Sequence, residues 1–294
     1  MPTESLIDWP KPVSELFGFI AAFLITGAIG FRFAALGGLL NSAASDEKGF
    51  AQGTARRAAL FGLLGAAIGT ARMLQGLPAA AERQHLGIAA LVTSQPVLQL
   101  QMALLFATLL GFALAAGGRG VGWAIAAVGV ALLPLRAALF GEFLRVVKPV
   151  HEYAAGYWIG TLFLIVTLGL SPAFRGALSA ERHAAVVARM VAGFSRLALT
   201  SFGVLAVFGV ITAVRNLKRI ESLWTTPYGI TYVAKMCVVL GVLAFGAWNW
   251  RRQKPRLGTA AAAAALRGSA TRELAAAGVV LLITSVLVSL PSPK

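Results

Sequence analysis

Apolar residues fill eight long runs along this chain, at about 13–39, 56–76, 96–116, 120–140, 150–171, 193–215, 228–250 and 273–291, with polar and charged residues gathered in the breaks. Crossing about 30 Å of hydrocarbon takes about 20 mostly apolar residues in a helix, because a helix satisfies all its own backbone polar groups. The pattern therefore predicts an all-α fold, a polytopic membrane helix bundle with about eight transmembrane helices. The first run is too long for the apolar region of a secretory leader, and Glu4, Asp8 and Glu15 stand where a leader needs basic residues. It is expected to be a retained helix.

Composition reinforces this reading. Hydrophobic residues make up 58% of the 294 and charged ones 13%, with a mean hydropathy of +0.78, far from the usage of a soluble domain. The longest connections hold only about 20 residues, which leaves no room for a soluble nucleotide-binding or catalytic domain. The expected organisation is a single membrane domain with an N-terminal four-helix half, 1–149, and a C-terminal four-helix half, 150–294. Cys237 is the single cysteine, so an internal disulfide is impossible.

The net charge of +15 sits in short loops, where it sets topology rather than recruiting nucleic acid. With eight helices, both termini share a side with the loops after the second, fourth and sixth. That side carries ten basic residues and the other carries fourteen, with Arg32 and Lys235 set aside inside helices. Seven of the eleven acids fall on the side of the termini. The positive-inside rule makes the arginine-rich side cytoplasmic and both termini extracytoplasmic, with anionic lipid headgroups as the expected partners of those arginines.

Small residues recur at helix-packing spacing, as Gly65 with Gly69 and Gly156 with Gly160; these let backbones approach closely in lipid. The connection RRQKPRLGTAAAAAALRGSATRE, Arg251 to Glu273, combines a basic cluster with an alanine run and is expected to form a short helix on the cytoplasmic membrane surface.

Once the chain is oriented, its soft and ionisable donors collect towards one end. Met73 ends the second run, Met102 opens the third, His151 and Glu152 open the fifth, and Met236 and Cys237 lie in the outer half of the seventh, while only His183 and Met190 fall on the cytoplasmic side. Thioether, thiolate and imidazole are donors that select Cu(I), whereas magnesium or calcium would need clustered carboxylates. A methionine in a helix is more often core packing than a ligand, and His151 among Tyr153, Tyr157 and Trp158 also suits an interfacial aromatic belt. Lys235 stands seven residues beyond Tyr228, about 10 Å into the seventh helix. A charge there either snorkels to the interface or faces a partner, for which Glu152 and Glu142 are the candidates.

The second half of the chain resembles the CopD/PcoD copper-resistance family. HEYAAGYWIGT is similar to its fifth-helix signature, with His151, Ala155, Trp158 and Gly160 matching. FSRLA and Gly209 resemble its sixth helix, and TPYGITYVAK matches a T-x-Y-G-x(5)-K segment at Thr226, Tyr228, Gly229 and Lys235. Asn249, Arg267, Glu273 and the closing LPSP also fit. Before the fifth helix, where the family usually has S-G-H, this chain has LFGEF, with Glu142 near the histidine position.

The resemblance implies an eight-helix inner-membrane protein of bacterial type that moves copper from periplasm to cytoplasm. His151, Glu152, Met102 and Met73 are the expected metal residues, and Trp158, Tyr228, Lys235, Glu142 and Gly160 the expected pathway or structural ones. A periplasmic copper-binding protein or other membrane subunits are the implied partners besides the lipid bilayer. Two rival readings are a CopD-like subunit that only packs in a larger complex and a haem-binding electron carrier. No nucleophile with an adjacent base appears, so no enzyme is expected.

Overall fold

The computed structural model describes residues 9–42, 44–253 and 258–293. Glu4 and Asp8 near the start, residues 254–257 of the basic connection, and Lys294 lie outside them. Eight long helices follow one another: α1 Pro10–Gly30, α2 Ser45–Arg83, α3 Pro96–Ala116, α4 Gly120–Leu132, α5 Val147–Leu164, α6 Ala180–Leu217, α7 Pro227–Trp248 and α8 Ala260–Leu287. Three of them run on into a π turn at the same end of the bundle: α1 through Phe31–Ala35, α5 through Ile165–Gly169 and α7 through Asn249–Gln253. Among the described residues no strand forms.

Six of these helices are long and apolar enough to cross a membrane. The other two fall short for local reasons. Pro134 lies just past α4, where the chain tightens into the 3-10 turn Leu133–Leu135, and the first turns of α5 hold Lys148, His151 and Glu152. Both still pack into the bundle, α4 on α3 and α5 on α1. The chain is a multi-pass, all-α membrane protein.

Helices α2, α6 and α8 begin well before their apolar runs. Hydropathy marks only the stretch embedded in hydrocarbon, whereas SDEKGFAQ and AERHAA can continue a helix into the polar layer. At 39 residues, α2 is about 58 Å long against about 30 Å of hydrocarbon. The side chain of Ser179 caps α6 by accepting from the amide of Arg182, and Thr259 caps α8 by accepting from that of Ala262. The alanine-rich connection is therefore not a separate surface helix. Ala260 to Glu273 form the first turns of α8, and Leu266 and Ala270 are buried against the bundle, which holds the segment in line with the span.

Helix α1 is central, packed between α2 and α5, with α3 on the far side of α2 and α6 on the far side of α5; α7 and α8 pair at the periphery. The α1–α5 crossing joins the two halves of the chain. Gly156 faces the Thr26 hydroxyl and Gly160 the carbonyl of Phe23, the close approach expected of that glycine pair. Gly65 meets Ala21 and Leu24 of α1. Three buried hydroxyls are satisfied within their own helices, Thr26 to Ala22 O at 2.6 Å, Thr54 to Phe50 O at 2.8 Å and Thr108 to Leu104 O at 2.7 Å, so none of them is stranded.

Candidate functional site

The connections after α1, α3, α5 and α7 meet at one end, the arginine-rich one. Asp46 pairs with Arg182 and Glu47 with Arg189, the Arg57 guanidinium lies 4.6 Å over the Phe174 ring, and Phe50 meets the His183 ring edge-on at 5.6 Å. His183 Nε2 stands 2.9 Å from the carbonyl oxygen of Gly169. Helix ends leave carbonyls without intrahelical donors, and the imidazole serves one of them. Met190 is fully buried against Gly169, so both donors at this end are occupied in packing.

At the opposite end two distinct polar neighbourhoods lie on different faces of α5. Glu152 points towards the bundle interior, where Lys148, Glu15, Arg72 and Arg136 are the charges that act on it. Arg72 of α2 reaches Glu15 of α1 at 3.7 Å and Ser14 Oγ at 3.3 Å. Arg136, just after α4, donates from Nε to Gln101 Oε1 at 3.0 Å and from Nη1 to the carbonyl of Leu133 at 2.5 Å. Several helices thus tie their ends on this side of the bundle together through two guanidinium groups, the fork geometry that suits arginine to such bridging.

His151, one residue earlier and so turned about 100° around the helix, faces α6 and α7. Its ring lies beside the backbone of Leu205, and Lys235 of α7 is the charged group acting on it. The approach to α6 is possible because Gly209 has no side chain: a Cβ there would stand 3.2 Å from His151 Cε1. His151 Nδ1 is buried and makes no hydrogen bond. Such atoms are few in folded proteins, and each calls for an explanation.

A cleft of about 490 Å³ opens one turn above, between the start of α5 and the end of α6, bordered by Arg136, Glu142, Arg145, Lys148, Thr212 and Arg215. Glu142 is held by Arg145 at 3.0 Å, and Arg215 donates to the carbonyl of Leu144 at 3.0 Å. Lys235 pairs with neither Glu142 nor Glu152. Glu142 is taken by its own neighbour, and Glu152 lies across α5 from α7.

The donors expected from sequence are thus dispersed. Met73 packs against the central core from α2, Met102 lies half-buried on α3, and neither helix packs closely on the His151 face of α5. Among the described residues no group of three or more His, Cys, Asp and Glu side chains gathers as a metal site would. Tyr228 is buried, its hydroxyl accepting from Asn216 Nδ2 at 3.0 Å to join the end of α6 to the start of α7. Trp158 meets Phe202 edge-on at 6.5 Å and helps hold α5 to α6, and Gly160 sits in the α1–α5 crossing. Arg72, Arg136 and Gln101 stand in no motif; in the sequence the two arginines are only topology signals and Gln101 carries no signal.

Residues 188–287 match the family model described as copper resistance protein D (CopD). The segment spans most of α6, all of α7 and α8 to its last residue, including Gly209, Tyr228 and Lys235, while His151 and Trp158 precede it. No curated protein and no solved structure matches the chain. Over this segment, about a third of its length, the chain is similar to the copper resistance protein D family, carried in a multi-pass membrane bundle.

Proposed function

We propose that this protein handles copper at the membrane, taking the ion as cargo at His151 on the side of the two termini and passing it into the bundle. The observation that carries the reading is the buried, unbonded Nδ1 of His151 in the packing zone of the family segment, next to Gly209 and Lys235. An imidazole nitrogen with no protein partner is a donor available to a soft or borderline ion. No enzymatic chemistry is assigned. The arginine-rich end is assigned to the cytoplasm of an inner membrane by the positive-inside rule.

In this reading His151 is the contact residue. Glu152 serves through the charged cluster that fixes the outer ends of α1, α2 and α5, and the cleft above His151 is the way in. The cleft is rich in basic residues, so copper is expected to arrive bound to a carrier or as an anionic complex rather than as a free cation. Met73 is assigned to core packing and Met102 to a helix away from His151, so neither is a contact residue.

The test is copper content of the purified protein after Cu(I) loading under reducing conditions, wild type beside His151→Ala. About one copper per chain, lost in the variant, is the expected result. Equal copper in both would remove His151 from the site. No copper in either would favour the other reading, a CopD-like subunit of a larger membrane complex, to be pursued by co-purification.

A further inference from the structure

At the arginine-rich end a cavity of about 740 Å³ lies between the segment that follows α5, the first turn of α6 and the first turns of α8. Arg175, Arg267 and Arg272 line it. Of the acids at this end, Asp46 is engaged with Arg182 and Glu47 with Arg189, Glu273 is buried and has a partner, and Arg175 acts on the Glu181 carboxylate. None of the three lining arginines is in an ion pair among the described residues. The rest of the lining is largely apolar: Leu170 and Pro172 on one side, Ala263 and Ala264 on the other. Small residues on α8 make the room, and a Cβ on Gly268 would meet nothing within 4 Å.

Three guanidinium groups beside an apolar wall match a ligand with a phosphate head and a hydrocarbon body. Guanidinium forks bind phosphate oxygens in pairs, and alanine and proline surfaces suit an acyl chain. The level of the cavity agrees, since Leu170 follows the π turn that ends α5, where that helix leaves the hydrocarbon. We infer that this cavity is a binding site for an anionic phospholipid of the adjacent leaflet, its phosphate held by Arg175, Arg267 and Arg272 and its chain lying against the α8 alanines. The site is separate from copper handling, on the opposite side of the bundle from His151, and a bound lipid would brace α8 against α6.

The experiment uses the full chain in detergent, with thermal unfolding followed on addition of phosphatidylglycerol, phosphatidylcholine or inorganic phosphate, and with retained lipid measured by mass spectrometry. Phosphatidylglycerol is expected to raise the midpoint by about 5 °C near saturation, and the other two to do little. In R267Q/R272Q the rise and the retained lipid should both be lost. Gly268→Leu, which fills the cavity and keeps every charge, should lose them as well and serves if the arginine variant does not fold. Equal stabilisation by phosphatidylcholine, or undiminished phosphatidylglycerol in both variants, would overturn the site. Equal stabilisation by inorganic phosphate would show that a soluble anion is the ligand and overturn the lipid assignment.

Discussion

Gly27 of α1 and Gly160 of α5 bring two helix backbones into direct contact: a Cβ added to Gly27 would stand 2.5 Å from the carbonyl carbon of Gly160, and one added to Gly160 would stand 2.9 Å from the Cα of Gly27. The Thr161 hydroxyl reaches across the same crossing to the carbonyl of Gly27 at 3.4 Å. In lipid, where helix association depends on van der Waals packing, such a contact is the main link between the halves of the chain.

Gly160→Ala should therefore force α1 and α5 apart and cost about 1–3 kcal/mol, the range for overpacking a tight interior. Gly69→Ala is the control. Its added carbon would make ordinary contacts, 3.7 Å to Leu105 and 3.9 Å to Ala21, so it should leave stability unchanged or slightly raised. Thermal unfolding in detergent separates the two, and equal effects would mean that the crossing is not held by glycine contact.

His183→Ala removes the partner of the Gly169 carbonyl and the edge-on contact with Phe50. An unsatisfied buried carbonyl costs about 1–3 kcal/mol, so a destabilisation of that size is expected in the same assay, with copper content unaffected. Partial recovery in His183→Gln, which can still donate, would identify the hydrogen bond as the larger part. A loss of copper in the alanine variant with stability intact would contradict the structural role.

The Asp46–Arg182 pair is partly exposed, with 66% of the arginine side chain accessible. Exposed pairs are worth about 0–1 kcal/mol and are screened by salt. Asp46→Asn should cost less than 1 kcal/mol at low ionic strength and nothing measurable at 1 M salt. A large, salt-independent loss would show that this contact fixes the loop geometry rather than adding surface electrostatics.

Much of the fold was legible because lipid imposes a blunt rule. An apolar run forms a helix, and all eight runs carry one, six of them long and apolar enough to cross a membrane. The glycine spacing carried over at Gly156, Gly160 and Gly65, where backbones or side chains approach closely, but not at Gly69, which makes only ordinary contacts. Helix ends were less legible: the polar turns of α2, α6 and α8 are held by caps and by burial of residues such as Leu266, which hydropathy does not register. The site was legible residue by residue but not as a constellation. His151 and Glu152 are adjacent in sequence, yet the helical rotation sends one to α6 and α7 and the other to Arg72 and Arg136. Which helices would stand on either side of α5 is a matter of tertiary packing that no local pattern contains.

The electrostatics around His151 yield the most specific test of the copper reading. Lys235 acts on the imidazole from α7, and an ammonium charge opposes a second cation at the same place, strongly so where water is scarce. Lys235→Gln should therefore tighten Cu(I) binding, by about tenfold for an interaction on the order of 1.4 kcal/mol. Gly209→Leu should act in the opposite direction, because a side chain there would occupy the space of the His151 ring, 3.2 Å from the first added carbon. Gly203→Leu on the same helix, where a Cβ meets nothing within 4 Å, should have no effect. Competition titrations with a Cu(I) chelator would measure all three. Tightening in Lys235→Gln together with loss in Gly209→Leu would locate copper at the α5–α6–α7 junction through two residues that need not be ligands. Unchanged affinity in both would place any bound copper away from His151, whatever His151→Ala itself did.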